Sequence, residues 1–260
     1  MLTGQALKPG LAVGHTSHAL PCPSLSESAW SALATNVQLS CQSLMPSASS
    51  SSGAGVEQLV LLAASGHTSV APDLPITDPA AGAVAYADVV LAALPAEPVV
   101  LVAHSLAGLV APLVAAAAPV RRVVYLAAML PEPGRSVDDR ARAGQRMTRR
   151  GIGRAQAVND DGSTSFRPDG AVELLYPDSP PDRAACAVAR LRRQHWRVTA
   201  EPSPVPAQVA APATYVLCTE DRIIDEDWAR AAMPEPVELA GDHSPFLARP
   251  AELADLLVAL

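Results

Sequence analysis

The stretch Val99-Val100-Leu101-Val102-Ala103-His104-Ser105-Leu106-Ala107-Gly108 decides how this chain folds. Its first five residues are apolar, largely β-branched and polar on neither face, the pattern of a central strand in a parallel sheet covered by helices on both sides. Residues 106–118 continue apolar and predict a buried helix. Pro112 and Pro119 punctuate that region, and it is shorter than the ~20 apolar residues of a bilayer span.

Outward from this point the same alternation recurs. Helices are expected over residues 59–64, 80–94, 227–233 and 250–260, and strands over 69–71, 123–127, 214–218 and 236–239. Strand followed by helix, repeated, implies an α/β fold with a mainly parallel sheet and helices on both faces. Residues 131–205 break the pattern with polar, Arg-rich, Pro-punctuated sequence and helical pieces over 137–149, 170–176 and 182–194. An insertion of that length between two strands reads as a helical cap. Its arginines Arg140, Arg142, Arg146, Arg149, Arg150 and Arg154 read as a solvated face with no assigned role. Residues 1–55 follow no such alternation, and Ser49-Ser50-Ser51-Ser52-Gly53 has the composition of a linker. The expected organisation is a divergent, partly low-complexity segment over 1–55, a core over 56–130 and 206–260, and the cap over 131–205.

Composition narrows the function classes. The 260 residues, 49% of them hydrophobic and only 3% aromatic, suit one domain with an aliphatic core. A net charge of −7 argues against nucleic acid or an anionic membrane as partner. The N-terminus shows no apolar secretory core, so a cytoplasmic location is expected. Cys22, Cys41, Cys186 and Cys218 lie far apart with no Cys-x-x-Cys pair and read as free thiols. Neither a His-Glu-x-x-His metal motif nor a Gly-x-x-x-x-Gly-Lys loop is present, so no metal or cofactor is implied.

The chemistry gathers at strand ends. Ser105 follows the apolar strand and opens the next helix, as in a nucleophile elbow, whose sharp turn needs small residues two before and two after the serine. Those places hold Ala103 and Ala107, where glycine is usual. The bland reading of Ser105 is a helix cap. A serine needs a base, and an acid to orient it, in the order Ser, Asp or Glu, His. Asp221 follows the 214–218 strand, with Glu220, Asp225 and Asp242 as rivals, and a turn-closing role is the bland reading. His243 follows the 236–239 strand in Gly241-Asp242-His243-Ser244-Pro245-Phe246. The C-terminal ends of parallel strands share one edge, so Ser105, Asp221 and His243 are expected to meet there. His104 reads as structural support beside the elbow.

The runs Gly66-His67-Thr68-Ser69-Val70-Ala71-Pro72-Asp73-Leu74-Pro75, Val102 to Gly108, Tyr215-Val216-Leu217-Cys218-Thr219-Glu220-Asp221 and Gly241 to Phe246 together resemble the α/β-hydrolase superfamily. They are most similar to its branch of plant methyl esterases and hydroxynitrile lyases with bacterial esterase-like relatives. The resemblance implies an α/β-hydrolase fold, Ser105 as nucleophile, Asp221 as acid, His243 as base and residues 131–205 as the cap over the pocket. The backbone N–H of Leu106, after the nucleophile, is expected to serve as one oxyanion donor. Where the family places a His-Gly loop supplying the other, this chain has Met45-Pro46-Ser47-Ala48. The function implied is hydrolysis of a small carboxylic ester, with that ester as the partner and a homodimer compatible with it. Two alternatives stand beside it. One is hydroxynitrile-lyase-type cleavage, disfavoured because the only lysine, Lys8, lies outside the cap. The other is a non-catalytic ligand-binding pseudo-hydrolase, motivated by the altered oxyanion loop.

Overall fold

A computed structural model describes residues 37–40, as a strand, and residues 66–260. Five strands form one all-parallel sheet: β1 (Val37–Ser40), β2 (Val99–His104), β3 (Val120–Leu126), β6 (Ala213–Cys218) and β7 (Val237–Leu239), side by side in that order. The strand–helix alternation thus resolves as an α/β fold, with helices packed around a parallel sheet. Val102, Val124 and Val216 in the middle of three neighbouring strands are almost wholly buried, which is why those strands carry unbroken apolar runs.

The register explains where the site forms. Ser40 pairs with Ala103, His104 with Leu126, Leu126 with Val216 and Cys218 with Leu239. The strands therefore end at one level, and Ser105, Ala127, Asp221 and His243 all emerge from the same edge.

The core helices are α1 (Ala83–Ala93), α2 (Ala111–Ala117), α7 (Glu226–Ala232), α8 (Pro245–Ala248) and α9 (Pro250–Ala259). Two expectations are corrected here. The helix expected over 106–118 is split: Ser105–Leu109 is a 3₁₀ turn, and α2 starts beyond Val110. Pro112 has no N–H to give an interior turn and is tolerated only at a helix start, so the break falls just before it. Residues 69–71 form no strand. Thr68 makes a single bridge, and Pro72 and Pro75 beyond it lack the N–H groups a ladder needs. The helix expected over 59–64 lies outside the described residues, as do the expectations for Met45 to Ala48.

The cap holds α3 (Val137–Arg142), a two-stranded antiparallel hairpin of β4 (Gln156–Val158) and β5 (Thr164–Phe166), α4 (Pro168–Leu175), α5 (Pro181–Val188) and α6 (Arg197–Ala200). Its first and third helices are shorter than expected. Bonds from Gly144 and Gln145 back to Ala141 and Arg140 close α3, and bonds from Arg190 and Leu191 to Ala187 and Val188 close α5. Ser136 caps α3 by accepting from Asp139 N–H, and Asp138 and Asp139 in its first turn suit the positive end of the helix. The hairpin was not anticipated. Its turn has an Asp161-Gly162 signal, with Gly162 at φ 80°, a conformation L side chains rarely adopt.

Backbone bonds fasten cap to core at several points. Arg149 N–H donates to Ile223 O at 2.8 Å, Asp225 N–H to Met147 O at 3.0 Å, and His195 N–H to Ile76 O at 2.8 Å. Arg140, expected on a solvated face, instead lays its side chain inward, donating to Leu130 O at 2.7 Å and pairing with Glu132 at 3.2 Å. The thiol expectation holds for Cys218, free and buried, but Cys186 is disulfide-bonded. Among the described residues, no helix is long and apolar enough to cross a membrane.

Candidate active site

The turn at Ser105 is built from its neighbours. Ser105 sits at φ 53°, a left-handed conformation that is strained for a residue with a side chain and that projects it out of the strand–helix turn. Ala103 and Ala107, at 1% and 3% exposure, line a small apolar space with Leu74, Val90, Leu101 and Val110. Their methyl groups find room there, so this elbow does not need glycine at those two places. It does need one at Gly108. A Cβ added there would lie 2.0 Å from the carbonyl oxygen of Met129 and 2.9 Å from the Ala128 side chain.

That contact belongs to a clamp on the turn. Beyond β3, Ala127 takes φ 44°. Ala128 is held at both polar atoms by the buried Tyr215 hydroxyl, which donates to its carbonyl at 2.8 Å and accepts from its N–H at 3.0 Å. Met129 N–H then donates to Ser105 O at 3.0 Å. Burial pushes the Tyr215 phenol above its ordinary range, so it stays protonated and able to donate.

The three expected side chains meet. The Ser105 hydroxyl lies 3.0 Å from His243 Nε2, and His243 Nδ1 lies 2.9 Å from Asp221 Oδ2. A carboxylate only accepts, so Nδ1 carries the proton and Nε2 offers a lone pair to the serine O–H. The serine hydroxyl is thus committed to the histidine rather than to a helix cap. Asp221 does both things that its sequence context allowed. Its Oδ1 closes the turn by accepting Ile223 N–H at 2.6 Å and Ile224 N–H at 3.0 Å, leaving Oδ2 for His243. The turn bonds fix the direction in which the second oxygen points.

Two of the rival acids are occupied elsewhere. Asp225 caps α7 by accepting Trp228 N–H at 3.0 Å. Asp242 is fully buried and accepts Ser244 N–H at 2.8 Å and Asp178 N–H at 3.1 Å, joining the histidine loop to the cap. Burial holds its carboxyl above the usual carboxylate range. Glu220 engages this loop through its backbone, donating to Gly241 O at 2.9 Å.

His104 supports the base directly. Its Nε2 donates to the backbone carbonyl of His243 at 2.7 Å, and its ring packs 4.7 Å from the His243 ring and 5.1 Å from Phe246, centre to centre. Burial, reinforced by the neighbouring His243, holds its pKa well below the ordinary imidazole value, so it is neutral. The bond to a carbonyl places its single proton on Nε2.

Ser105, Leu106 and His243 line a cavity of about 460 Å³. Leu106 N–H is among the first donors of the 3₁₀ turn, which have no carbonyl partner within it. Met129 and Ile223 of the core also line it, as does Arg146 of the cap, expected on a solvated face; the cap further contributes Met147, Phe166, Trp196 and Gln194, none of them singled out from sequence. For the last two the one available signal was position, between the third cap helix and the return to the core.

The family model described as the alpha/beta hydrolase family matches residues 44–256. No curated protein matches the chain. Solved structures of similar shape include polyneuridine aldehyde esterase, 18% identical with a TM-score of 0.70 over 86% of this chain and 98% of that one. A methylesterase from Arabidopsis is 19% identical, TM-score 0.65, over 86% and 98%. A pyrethroid hydrolase from Sphingobium faniae JZ-2 is 19% identical, TM-score 0.66, over 87% and 96%. Identities this low establish a shared fold. With that family model spanning most of its length, the chain belongs to the alpha/beta hydrolase family.

Proposed function

We propose that the protein is a serine hydrolase that cleaves a small carboxylic ester, with Ser105 as nucleophile, His243 as general base and Asp221 as its orienting acid. The observation that carries this reading is the unbroken hydrogen-bonded line from Ser105 through both nitrogens of His243 to a buried Asp221, opening on a cavity. Membership of a hydrolase family and the esterases among its structural neighbours support it.

His243 Nε2 takes the hydroxyl proton as Ser105 Oγ attacks the acyl carbon. Asp221 keeps the imidazole in the required tautomer and stabilises the imidazolium that forms. Leu106 N–H donates to the developing oxyanion, where charge appears only in the transition state. Collapse of the tetrahedral adduct breaks the bond to the alkoxy oxygen, which leaves as the alcohol with the proton from His243. Water, deprotonated by the same nitrogen, then releases the acid from Ser105. The cavity is of the size that takes small ligands, typically about 300–1,000 Å³.

The test is labelling by a fluorophosphonate probe. One covalent adduct is expected on the wild-type protein and none on Ser105→Ala. A folded wild-type protein that takes no label and hydrolyses no short ester overturns the reading.

A further inference from the structure

The cap wall of the cavity holds a polar group with nothing to bind. Gln194 is 7% exposed, lines the cavity, and its Nε2 is buried without a hydrogen-bond partner among the described residues. Its backbone is held firmly. Gln194 N–H donates to Thr164 O at 2.9 Å and Thr164 N–H returns the bond to Gln194 O at 2.9 Å, so this residue extends the β4–β5 hairpin by one antiparallel bridge. The next residue is tied to the core through Ile76.

Neighbouring polar side chains on this wall are paired. Trp196 Nε1–H donates to Thr164 Oγ1 at 2.8 Å, and Thr199 donates its hydroxyl to the Trp196 carbonyl at 2.9 Å. Arg146, Thr148, Gln156 and Arg192 also line the cavity beside Phe166, Trp196 and Met147, but of all its lining residues Gln194 alone has a buried polar atom with no partner among the described residues. A buried amide hydrogen with no acceptor is costly, and a ligand that reaches it removes that cost. In a mainly apolar pocket such a group fixes orientation and specificity.

We infer that Gln194 is a specificity-determining residue, and that the preferred ester, on the hydrolase reading above, is an apolar chain or ring bearing a hydroxyl remote from the scissile carbonyl. A hydroxyl suits the carboxamide at either atom, because it accepts from Nε2 and donates to Oε1. The reacting pair and the Gln194 carboxamide come from different layers. Ser105 and His243 stand on the sheet edge and Gln194 on the cap, so one substrate bridges them only if its second polar group is separated from the ester by apolar atoms.

The experiment measures binding, so that it does not depend on turnover. Methyl nonanoate and a set of methyl hydroxynonanoates, with the hydroxyl walked along the far half of the chain, are titrated calorimetrically into the full-length Ser105→Ala protein. At least one hydroxyl position is expected to bind about tenfold tighter than the parent ester. Adding Gln194→Met brings that ratio to about one, whereas adding Gln194→Glu, which still accepts from a hydroxyl, retains it. A residue that merely shaped the wall would move both variants alike. Thermal melts show whether each variant folds, and Gln194→Leu, which also removes both polar atoms, takes the place of the Met variant if that one does not. A ratio near one at every position, or a preference that survives Gln194→Met, overturns the inference. Loss of fluorophosphonate labelling in the wild-type protein would instead count against the hydrolase reading alone.

Discussion

The sheet edge and the cap solve different problems with the same chain. At the sheet edge the polar side chains of the site are buried and satisfied: Asp221 uses both oxygens, His243 both nitrogens, and Tyr215 both gives and receives at Ala128. In the cap the helices are short, many charges pair at the surface, and a buried carboxamide is left without a partner among the described residues. A floor whose reacting side chains are all paired fixes reacting atoms, whereas a wall with an unpaired group selects what is brought to them. Mutations on the two sides should therefore fail differently.

The largest contrast is expected at Asp221→Asn. The turn bonds to Ile223 and Ile224 survive through the remaining carbonyl oxygen, but His243 loses its enforced tautomer, so ester turnover falls by about 10⁴-fold with little change in melting temperature. Steady-state kinetics beside a melt check both halves. Gly108→Ala attacks the clamp itself. The added methyl meets the Met129 carbonyl, which is backbone and cannot swing away, so a loss of about 1–3 kcal/mol in urea unfolding is expected together with weaker activity.

His104 gives the floor a pH signature. Its folded pKa is depressed by burial and by His243, so the unfolded chain takes up the proton first. Its contribution is present above the ordinary imidazole value, ~6.5, and is lost as pH falls below it. Stability measured by urea titration should decline on that acid side, and His104→Gln, which still donates to the His243 carbonyl but does not titrate, should flatten the decline.

On the cap side the effects are smaller. Glu201, just past α6, accepts Ala83 N–H at 2.7 Å and so caps a core helix whose own N-cap residue, Gly82, has no side chain to do it. Glu201→Ala should cost about 1 kcal/mol in unfolding free energy while leaving the pH profile of turnover in place. Arg142→Ala removes an exposed pair with Asp139 and should leave the melting temperature where it was.

The same contrast explains what could be read from the sequence. Strands β2, β3 and β6 are legible because burial on both faces leaves only apolar residues, and the positions of Ser105, Asp221 and His243 follow from where those runs stop. The choice of Asp221 over Glu220, Asp225 and Asp242 came from the family resemblance and not from the strand pattern, which leaves all of them near turns; the structure shows which oxygen faces His243. Nor was the cap. β4 and β5 are three residues each and hold their shape through Gln194, about thirty residues beyond, and a pairing made that far along the chain leaves no local period. The glycine that the elbow requires was displaced as well. Attention falls on Ala103 and Ala107 because the usual motif puts glycine there, yet the close approach is at Gly108 and comes from the loop after β3.

The bonds that cross from cap to core have a kinetic consequence. The amide hydrogens of Arg149, His195 and Asp225 are each held by a carbonyl on the opposite layer, so each can exchange with solvent deuterium only when those layers part. Their exchange rates, read against the amides within β3, time the opening of the cavity separately from the unfolding of the sheet beneath it.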